Sequence, residues 1–159
     1  MALATPMFVA DAALGRLVTW LRLLGYDTVC ARDGPPGRLI RRAAAEGRIV
    51  LTRNTRLARR GPLPRSVLVR DDDYRAQLRQ VIDACALTAV PAFLHRCARC
   101  NSVLEPIAPA DAGTRVPAYV AATQTTFARC PTCERIYWPA THVARMRREL
   151  VRLGLREDG

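Results

Sequence analysis

The amino-acid sequence predicts an α/β fold, with a parallel sheet covered by helices on both faces, followed by a small zinc-binding module. Three observations support this prediction. Short apolar strands alternate with helical periodicity in the first half of the chain, two C-x-x-C pairs lie in the second half, and 159 residues suffice for one full core and a small satellite. We expect the α/β domain at residues 1–88, a linker at Leu87–Pro91, and the zinc module with a C-terminal helix at residues 92–159.

The first half of the chain contains four apolar runs between turn residues, which is typical of buried parallel strands. They lie at Met7–Ala10, Tyr26–Cys30, Ile49–Thr52 and Ser66–Val69. Helical spacing of apolar residues follows each run, around Leu14–Leu24, from Leu39 to Gly47, around Leu57 and from Tyr74 to Cys85. A last helix is indicated by the apolar stripe Val143, Met146, Leu150 and Leu153, with Thr141 as its N-cap and Arg145, Arg148 and Arg152 facing outward.

The basic residues of this chain are all arginine. There are 25 of them and no lysine, against 14 Asp and Glu, which gives a net charge of +11. Guanidinium groups bind phosphate bidentately, and a strongly positive protein gains from the release of counterions by a polyanion. Nucleic acid is therefore the expected partner. The alternative is a basic protein whose arginines are merely solvated on its helices.

The sequence contains no candidate for a membrane span. The longest uncharged stretch, residues 116–128, has 13 residues, whereas a span needs about 18 apolar ones. The first ten residues lack the basic n-region of a signal peptide, and Asp11 interrupts the first apolar run. We therefore expect a cytoplasmic protein.

Four of the six cysteines form two C-x-x-C pairs: Cys97, Cys100, Cys130 and Cys133. In a reducing cytosol, two such pairs predict four thiolates around one tetrahedral zinc ion. The pairs are 29 residues apart, more than the usual spacing of about 15–20, but a loop rich in proline and glycine absorbs the excess. The alternatives are two redox dithiols or two disulfides. Cys30 and Cys85 stand alone in apolar segments and are expected to be small buried side chains.

Polar residues follow the predicted strands at the edge of the sheet where open α/β folds bind ligands. They are Asp11, Asp33, Asn54 and the run Asp71–Asp73. Clustered carboxylates repel one another unless a cation joins them, so we expect a Mg²⁺ or Mn²⁺ site with Asp11 and Asp72 among its ligands. The alternative is capping, in which Asp72 or Asp73 begins the helix at Tyr74 and Asp33 stabilises a turn.

The chain also resembles a known protein family over nearly its whole length. The resemblance is carried by FVADAALGRLVTWLRLLGYD, EGRIVLTRN, QLRQV, RCARCN and FARCPTCERIYWPATH, in that order. These segments look like the PIN-like RNase domain with a C-terminal zinc ribbon, the type named for the C-terminal part of the Mut-seven exonuclease. The resemblance implies a PIN-type three-layer α/β fold, a metal-dependent ribonuclease activity and an appended ribbon. It places a metal-binding acid at Asp11, a late acid in Asp71–Asp73 and zinc on the four paired cysteines.

Two segments depart from the family's usual pattern. The family usually has LTRD where this chain has Leu51-Thr52-Arg53-Asn54, and Gly34-Pro35-Pro36-Gly37 replaces an acidic stretch before the second helix. An asparagine still offers a carbonyl oxygen to a cation. Fewer anionic ligands nevertheless weaken the expected binding of Mg²⁺.

Two hypotheses about function follow from these residues. In the first, the protein is a metal-dependent endoribonuclease in which Asp11, Asp33 and Asp72 hold Mg²⁺ or Mn²⁺, with Arg53 or Arg16 neutralising the phosphate of the RNA. Asn54 then belongs to the same site. In the second, the protein is a catalytically weak or inactive RNA-binding or adaptor protein on the same PIN-like fold.

Overall fold

The computed structural model describes residues 4–32, 35–59 and 65–157. Strands and helices alternate through its α/β part. The strands are β1 (Phe8–Asp11), β2 (Thr28–Ala31), β3 (Ile49–Thr52) and β4 (Ser66–Leu68), and the helices are α1 (Gly15–Leu23), α2 (Pro36–Glu46), α3 (Thr55–Ala58) and α4 (Tyr74–Cys85). The predicted order is confirmed. The first strand begins and ends one residue later than expected, so that Asp11 is the last residue of β1 rather than the residue after it.

The four strands form one parallel sheet with the order β2-β1-β3-β4. Val9 of β1 lies opposite Val29 of β2 on one side and Val50 of β3 on the other. Strand β2 lies on one side of β1, whereas β3 and β4 lie on the other, so the strand order reverses between β1 and β3. A crevice opens at the carboxyl ends of the strands at such a reversal. Ligands of doubly wound folds bind at this position.

Helices cover both faces of the sheet, which confirms the three-layer α/β architecture. Neighbouring residues of a strand point to opposite faces. Phe8 and Leu51 pack with α1 and α4 in the larger core, whereas Val9 and Val50 pack with α2 and α3 in the smaller one. Helix α1 ends where the sequence predicts, because Gly25 adopts a φ of 91°. Only glycine fits at this position, since the backbone of Ala92 occupies the space that a Cβ atom would take.

The second half of the chain forms the ribbon and the C-terminal elements. Its strands are β5 (Ala89–Val90), β6 (Glu105–Ile107), β7 (Phe127–Arg129), β8 (Ile136–Tyr137) and β9 (Arg156–Glu157), and its helices are α5 (Pro109–Ala112), α6 (Ala118–Thr123) and α7 (Thr141–Arg152). Strands β6, β7 and β8 form an antiparallel sheet in that order. No helix within the described ranges is long and apolar enough to cross a membrane.

The segment Leu87–Pro91, expected to be a linker, is built into the structure. It contains β5, which pairs in parallel with β9 at the other end of the chain. Val90 is fully buried, and Leu150 from α7 joins the core that α1 and α4 cover. The C-terminal helix therefore packs on the α/β sheet, while the division into domains at residues 88 and 92 stays a prediction.

Helix α7 confirms the predicted apolar stripe at Val143, Met146 and Leu150, all of which are buried. The predicted capping by Thr141 is wrong. Thr141 is the first helical residue, and the N-cap position is occupied by Ala140, which has no side chain that could accept a hydrogen bond.

Candidate functional site

Asp11 lies in the crevice between the carboxyl ends of β1 and β3. Its Oδ2 accepts hydrogen bonds from the Thr52 hydroxyl at 2.7 Å and from the Arg53 backbone amide at 2.9 Å. Its Oδ1 accepts from the Ala13 amide at 3.1 Å, which caps the 3-10 turn Ala12–Leu14. These three bonds fix the orientation of the carboxylate. Because a carboxylate has about four acceptor sites, one remains for a further ligand.

Asp11 borders an open pocket of about 580 Å³ at the carboxyl ends of β1, β2 and β3. The polar side chains that line it are Asp11, Thr52, Asn54, Arg32, Arg38 and Arg42. Among the lining residues that the structure describes, Asp11 is the only carboxylate. Three arginine side chains therefore line the pocket beside one carboxylate, so the described lining carries an excess of positive charge.

Asn54 lines the same pocket, but its side-chain oxygen already has two partners. Oδ1 accepts from the backbone amides of Arg56 at 3.0 Å and Leu57 at 3.2 Å, and so caps the N-terminus of α3. The Asn54 amide donates to the Thr52 hydroxyl, which in turn donates to Asp11. Thr52 therefore connects the two predicted site residues, which the structure brings together.

The run Asp71–Asp73 does not line this pocket. Asp73 caps α4, because its Oδ2 accepts from the amides of Arg75 at 3.0 Å and Ala76 at 3.2 Å. The Asp72 carboxylate is 92% exposed and lies 2.6 Å from a guanidinium nitrogen of Arg53. The capping alternative thus describes Asp73, and the role of Asp72 as a Mg²⁺ ligand stays a prediction. Asp33 lies outside the described residues.

The four paired cysteines converge at one point of the ribbon. Their sulfur atoms all lie within 4.8 Å of one another, and the Cys97 and Cys133 sulfurs are 3.7 Å apart. Four thiolates around a tetrahedral zinc, with Zn–S bonds of about 2.3 Å, place their sulfurs about 3.8 Å apart. All six cysteines are free thiols rather than disulfides. The cluster therefore fits a structural zinc ion.

Each C-x-x-C pair forms a turn of the same shape. The amide of the second cysteine donates to the sulfur of the first, at 3.3 Å in the first pair and 3.5 Å in the second. The residues that follow, Asn101 and Glu134, have φ values of 67° and 60°, and their amides donate to the carbonyl of the first cysteine at 2.9 Å. Local backbone bonds thus position all four thiols.

The electrostatics of the cluster favour a bound cation. Burial alone would raise the pKa of Cys97, but hydrogen bonds from the Tyr137 hydroxyl and from the amides of Cys100 and Arg99 lower it to about 7. Burial, together with the neighbouring Cys133 and Cys97 sulfurs, raises the pKa of Cys100 to about 12. Four adjacent thiolates therefore require a positive ion to ionise together.

A family model for the Mut7-C RNAse domain matches residues 6–150, which include both the parallel sheet and the cysteine cluster. The chain belongs to the Mut7-C RNAse domain family. This confirms the resemblance seen in the sequence, and it indicates a ribonuclease-like function with RNA as the substrate. Comparisons with curated proteins and with solved structures found no significant match.

The ribbon of this Mut7-C RNAse domain is joined to the sheet by buried polar groups. Arg22, which is 6% exposed, donates from Nη1 to both carbonyls inside the first C-x-x-C turn, at 3.1 and 2.8 Å, and from Nε to the Thr28 carbonyl at 2.8 Å. Asn101 accepts from the Thr28 amide at 3.0 Å and donates to Asp27 at 2.8 Å. The zinc-binding turn is therefore anchored at the start of β2.

The two arginines predicted to bind phosphate in this Mut7-C RNAse domain are engaged elsewhere on the same edge of the sheet. Arg53 pairs with Asp72, and Arg16 lies 4.6 Å from the ring centre of Tyr74, which stacks on Trp20. The residues predicted from the sequence do not include the pocket arginines Arg32, Arg38 and Arg42. The only signal for them is the four-residue spacing of Arg38 and Arg42, which places both on one side of a helix beginning at this edge.

Proposed function

We propose that this protein is a metal-dependent ribonuclease that hydrolyses phosphodiester bonds of RNA at Asp11. The proposal rests on the position of Asp11 at the crevice of the sheet, in a chain that belongs to an RNAse family. Its carboxylate is fixed at the crevice of the sheet, with an acceptor site free beside a basic pocket. This combination is expected of a site that receives a cation and a phosphate together.

The donor atoms at this edge are sufficient for Mg²⁺ or Mn²⁺ only if the substrate supplies further oxygen ligands. Mg²⁺ commonly binds through one or two carboxylates together with substrate phosphates and water. Asp11 offers one carboxylate, and Asp33 and Asp72 are the proposed additional acids. When bound, the ion would polarise the phosphodiester and a water molecule. We infer that the metal binds more tightly in the presence of RNA than to the protein alone.

The residues around Asp11 have separate roles in this proposal. Thr52 and the Arg53 amide hold the carboxylate in one orientation, which favours a defined position of the cation. Arg53 also carries a guanidinium group close to the site, and exchange of its exposed partner Asp72 for a phosphate oxygen would let it neutralise the substrate. Arg16 remains a second candidate for this contact.

The test compares cleavage of single-stranded RNA by the parent protein and two variants, with Mg²⁺ or Mn²⁺ added or omitted. Asp11→Asn should lower metal-dependent cleavage by about 100-fold or more, because it removes the proposed anionic ligand. Asn54→Asp should raise cleavage at low metal concentration, because it adds a carboxylate to the pocket and still caps α3.

Asp83→Asn provides the matched control, since Asp83 pairs with Arg79 on the exposed side of α4 and does not line the pocket. Its cleavage rate should equal that of the parent. Cleavage that continues without divalent metal, or that survives in folded Asp11→Asn protein, would contradict the proposal.

A second candidate function is RNA binding without cleavage. It is favoured by Asn54, which replaces an expected aspartate and uses its oxygen to cap α3, and by the position of Asp72 outside the pocket. On this alternative the parent protein binds RNA but cleaves none at any metal concentration. Activity that appears only in Asn54→Asp would identify the parent as a catalytically weakened member of the family.

A further inference from the structure

Two arginine-lined pockets lie on opposite sides of the loop between β3 and α3. The first is the Asp11 pocket, with Arg32, Arg38 and Arg42. The second measures about 610 Å³, and the charged residues described in its lining are Arg53, Arg59 and Arg70. Asn54 lines the first pocket, while its neighbours Arg53 and Thr55 line the second. The pockets are therefore adjacent, with Asp11 on the side of the first.

The guanidinium groups in these pockets are largely available for a ligand. Within the part of the chain that the structure describes, the side chains of Arg32 and Arg38 in the first pocket have no hydrogen bond or ion pair, and neither do those of Arg59 and Arg70 in the second. Arg42 pairs with Glu46 and Arg53 with Asp72. No carboxylate stands in the described lining of the second pocket. Concave surfaces with such an excess of positive charge attract anions.

The chemistry of the lining points to phosphate rather than to bases. No aromatic side chain lines either pocket among the described residues, so neither offers a platform on which a base could stack. Guanidinium groups, in contrast, bind phosphate oxygens in a bidentate geometry. A ligand that reaches both pockets must pass around the residues 52–55. A flexible single strand can do so, whereas an A-form duplex is recognised across a wide, shallow groove.

We propose that the sugar-phosphate backbone of single-stranded RNA crosses the carboxyl edge of the sheet from the first pocket to the second, past Asp11. Arg32 and Arg38 would bind phosphates on one side of the loop, and Arg59 and Arg70 would bind phosphates on the other. This assignment rests on the proposed function in taking RNA as the substrate, but it requires no cleavage. It implies binding with little sequence preference and a steep dependence on salt.

Fluorescence anisotropy with a labelled 12-nucleotide single-stranded RNA, without added Mg²⁺ or Mn²⁺, tests this path. Arg38→Gln and Arg70→Gln remove one exposed guanidinium from each pocket. Each should weaken binding about 3- to 10-fold at low salt and lower the slope of log K against log salt by about 0.7. The double variant should combine both losses. Two such RNAs are compared, one made only of uridine and one made only of adenosine. Their affinities should lie within about threefold of each other, because phosphate contacts do not depend on the base.

Arg79→Gln is the matched control, because it removes one arginine of α4 that lines neither pocket. It should change the affinity less than twofold. Equal affinity of the Arg38, Arg70 and Arg79 variants would overturn the path, and so would duplex RNA that binds as tightly as the single strand and responds equally to the pocket variants.

The same samples distinguish failure of this path from failure of the proposed function. RNA that binds in both pockets but is not cleaved when Mg²⁺ or Mn²⁺ is added contradicts the ribonuclease and leaves the path intact. Metal-dependent cleavage that is unaffected by Arg38→Gln and Arg70→Gln, with unchanged RNA affinity, contradicts the path and leaves the ribonuclease intact.

Discussion

The cysteine cluster and the carboxyl edge of the sheet differ in how completely the protein supplies their ligands. In the cluster, four thiols lie within 4.8 Å of one another, and backbone amides and the Tyr137 hydroxyl already stabilise the sulfurs. At the edge, Asp11 is the only carboxylate among the described residues that line the pocket, while Asn54 and Asp73 use their side-chain oxygens to cap helices. A structural zinc site is closed by protein ligands, whereas a site that acts on a substrate leaves positions open.

The largest effect is expected from disrupting the cysteine cluster. Cys97→Ser should reduce the zinc content from about one ion per chain and unfold the ribbon, because structural zinc contributes an apparent binding free energy of about 10–16 kcal/mol. The sheet should lose stability as well, since Arg22 and Asn101 tie the first cysteine turn to β2. Elemental analysis and urea unfolding measure both effects.

Cys85→Ser serves as the control for the loss of a thiol. Cys85 is buried on α4 outside the cluster, and burial raises its pKa, so its thiol is not expected to bind metal. This variant should retain the zinc content of the parent. A parent protein that folds without chelator and contains no thiophilic metal would contradict the zinc assignment.

The next effect concerns the joint between the ribbon and the sheet, which Arg22 and Asn101 form at the start of β2. Arg22→Met keeps an unbranched side chain but removes the guanidinium group. The Thr28 carbonyl and both carbonyls of the first C-x-x-C turn then lose the donor that Arg22 provides. We expect a loss of about 2–4 kcal/mol in the free energy of unfolding, together with weaker zinc retention in a chelator titration. Arg79→Met, at an exposed pair on α4, should cost about 0.5 kcal/mol or less. Equal stability of the two variants would show that the joint contributes nothing.

Asp27 links stability at the joint to pH. Burial opposes its ionisation, but hydrogen bonds from Arg48 and Asn101, with the charge of Arg96, outweigh burial and lower the pKa of Asp27. A carboxyl whose folded pKa is lowered stabilises the fold above its unfolded value of about 3.9, and this contribution is lost as the pH falls through the folded pKa.

The expected result is a difference in unfolding free energy between the parent and Asp27→Asn that is constant near pH 6 and shrinks below about pH 4. Urea unfolding from pH 6 to pH 3 measures it. Comparison with the variant separates the carboxylate from the loss of zinc in acid, which affects both proteins. A difference that grows as the pH falls would contradict the assignment.

The smallest effects are expected at the acidic run after β4. Asp73→Ala should destabilise the protein by about 1 kcal/mol, because two amides at the start of α4 lose their acceptor. Asp72→Ala should cost less than about 0.5 kcal/mol, since the exposed pair with Arg53 is solvated. Thermal unfolding ranks the two. The reverse order would show that Asp72, rather than Asp73, is held by the fold.

Local patterns of the sequence were sufficient for the framework of both regions. The apolar runs at Met7–Ala10 and Ile49–Thr52 lie between helical periods, so the alternation of strands and helices follows from the side chains each segment must bury. The cysteine turns are equally local, since each closes over four residues and bonds to its own backbone. Strand ends follow from the same patterns, so the sequence indicates that Asp11 and Asn54 lie at one edge of the sheet, where both line the same pocket.

Only the tertiary structure decided which partners these side chains take. Asp72 and Asp73 are adjacent in sequence, yet one pairs with Arg53 and the other caps α4. Strand β5 pairs with β9, a segment far along the chain. The pocket beside Asp11 brings together Arg32 after β2 with Arg38 and Arg42 of α2, which depends on how α2 packs. Such contacts depend on distances set by the whole fold, which the spacing of residues in the sequence does not contain.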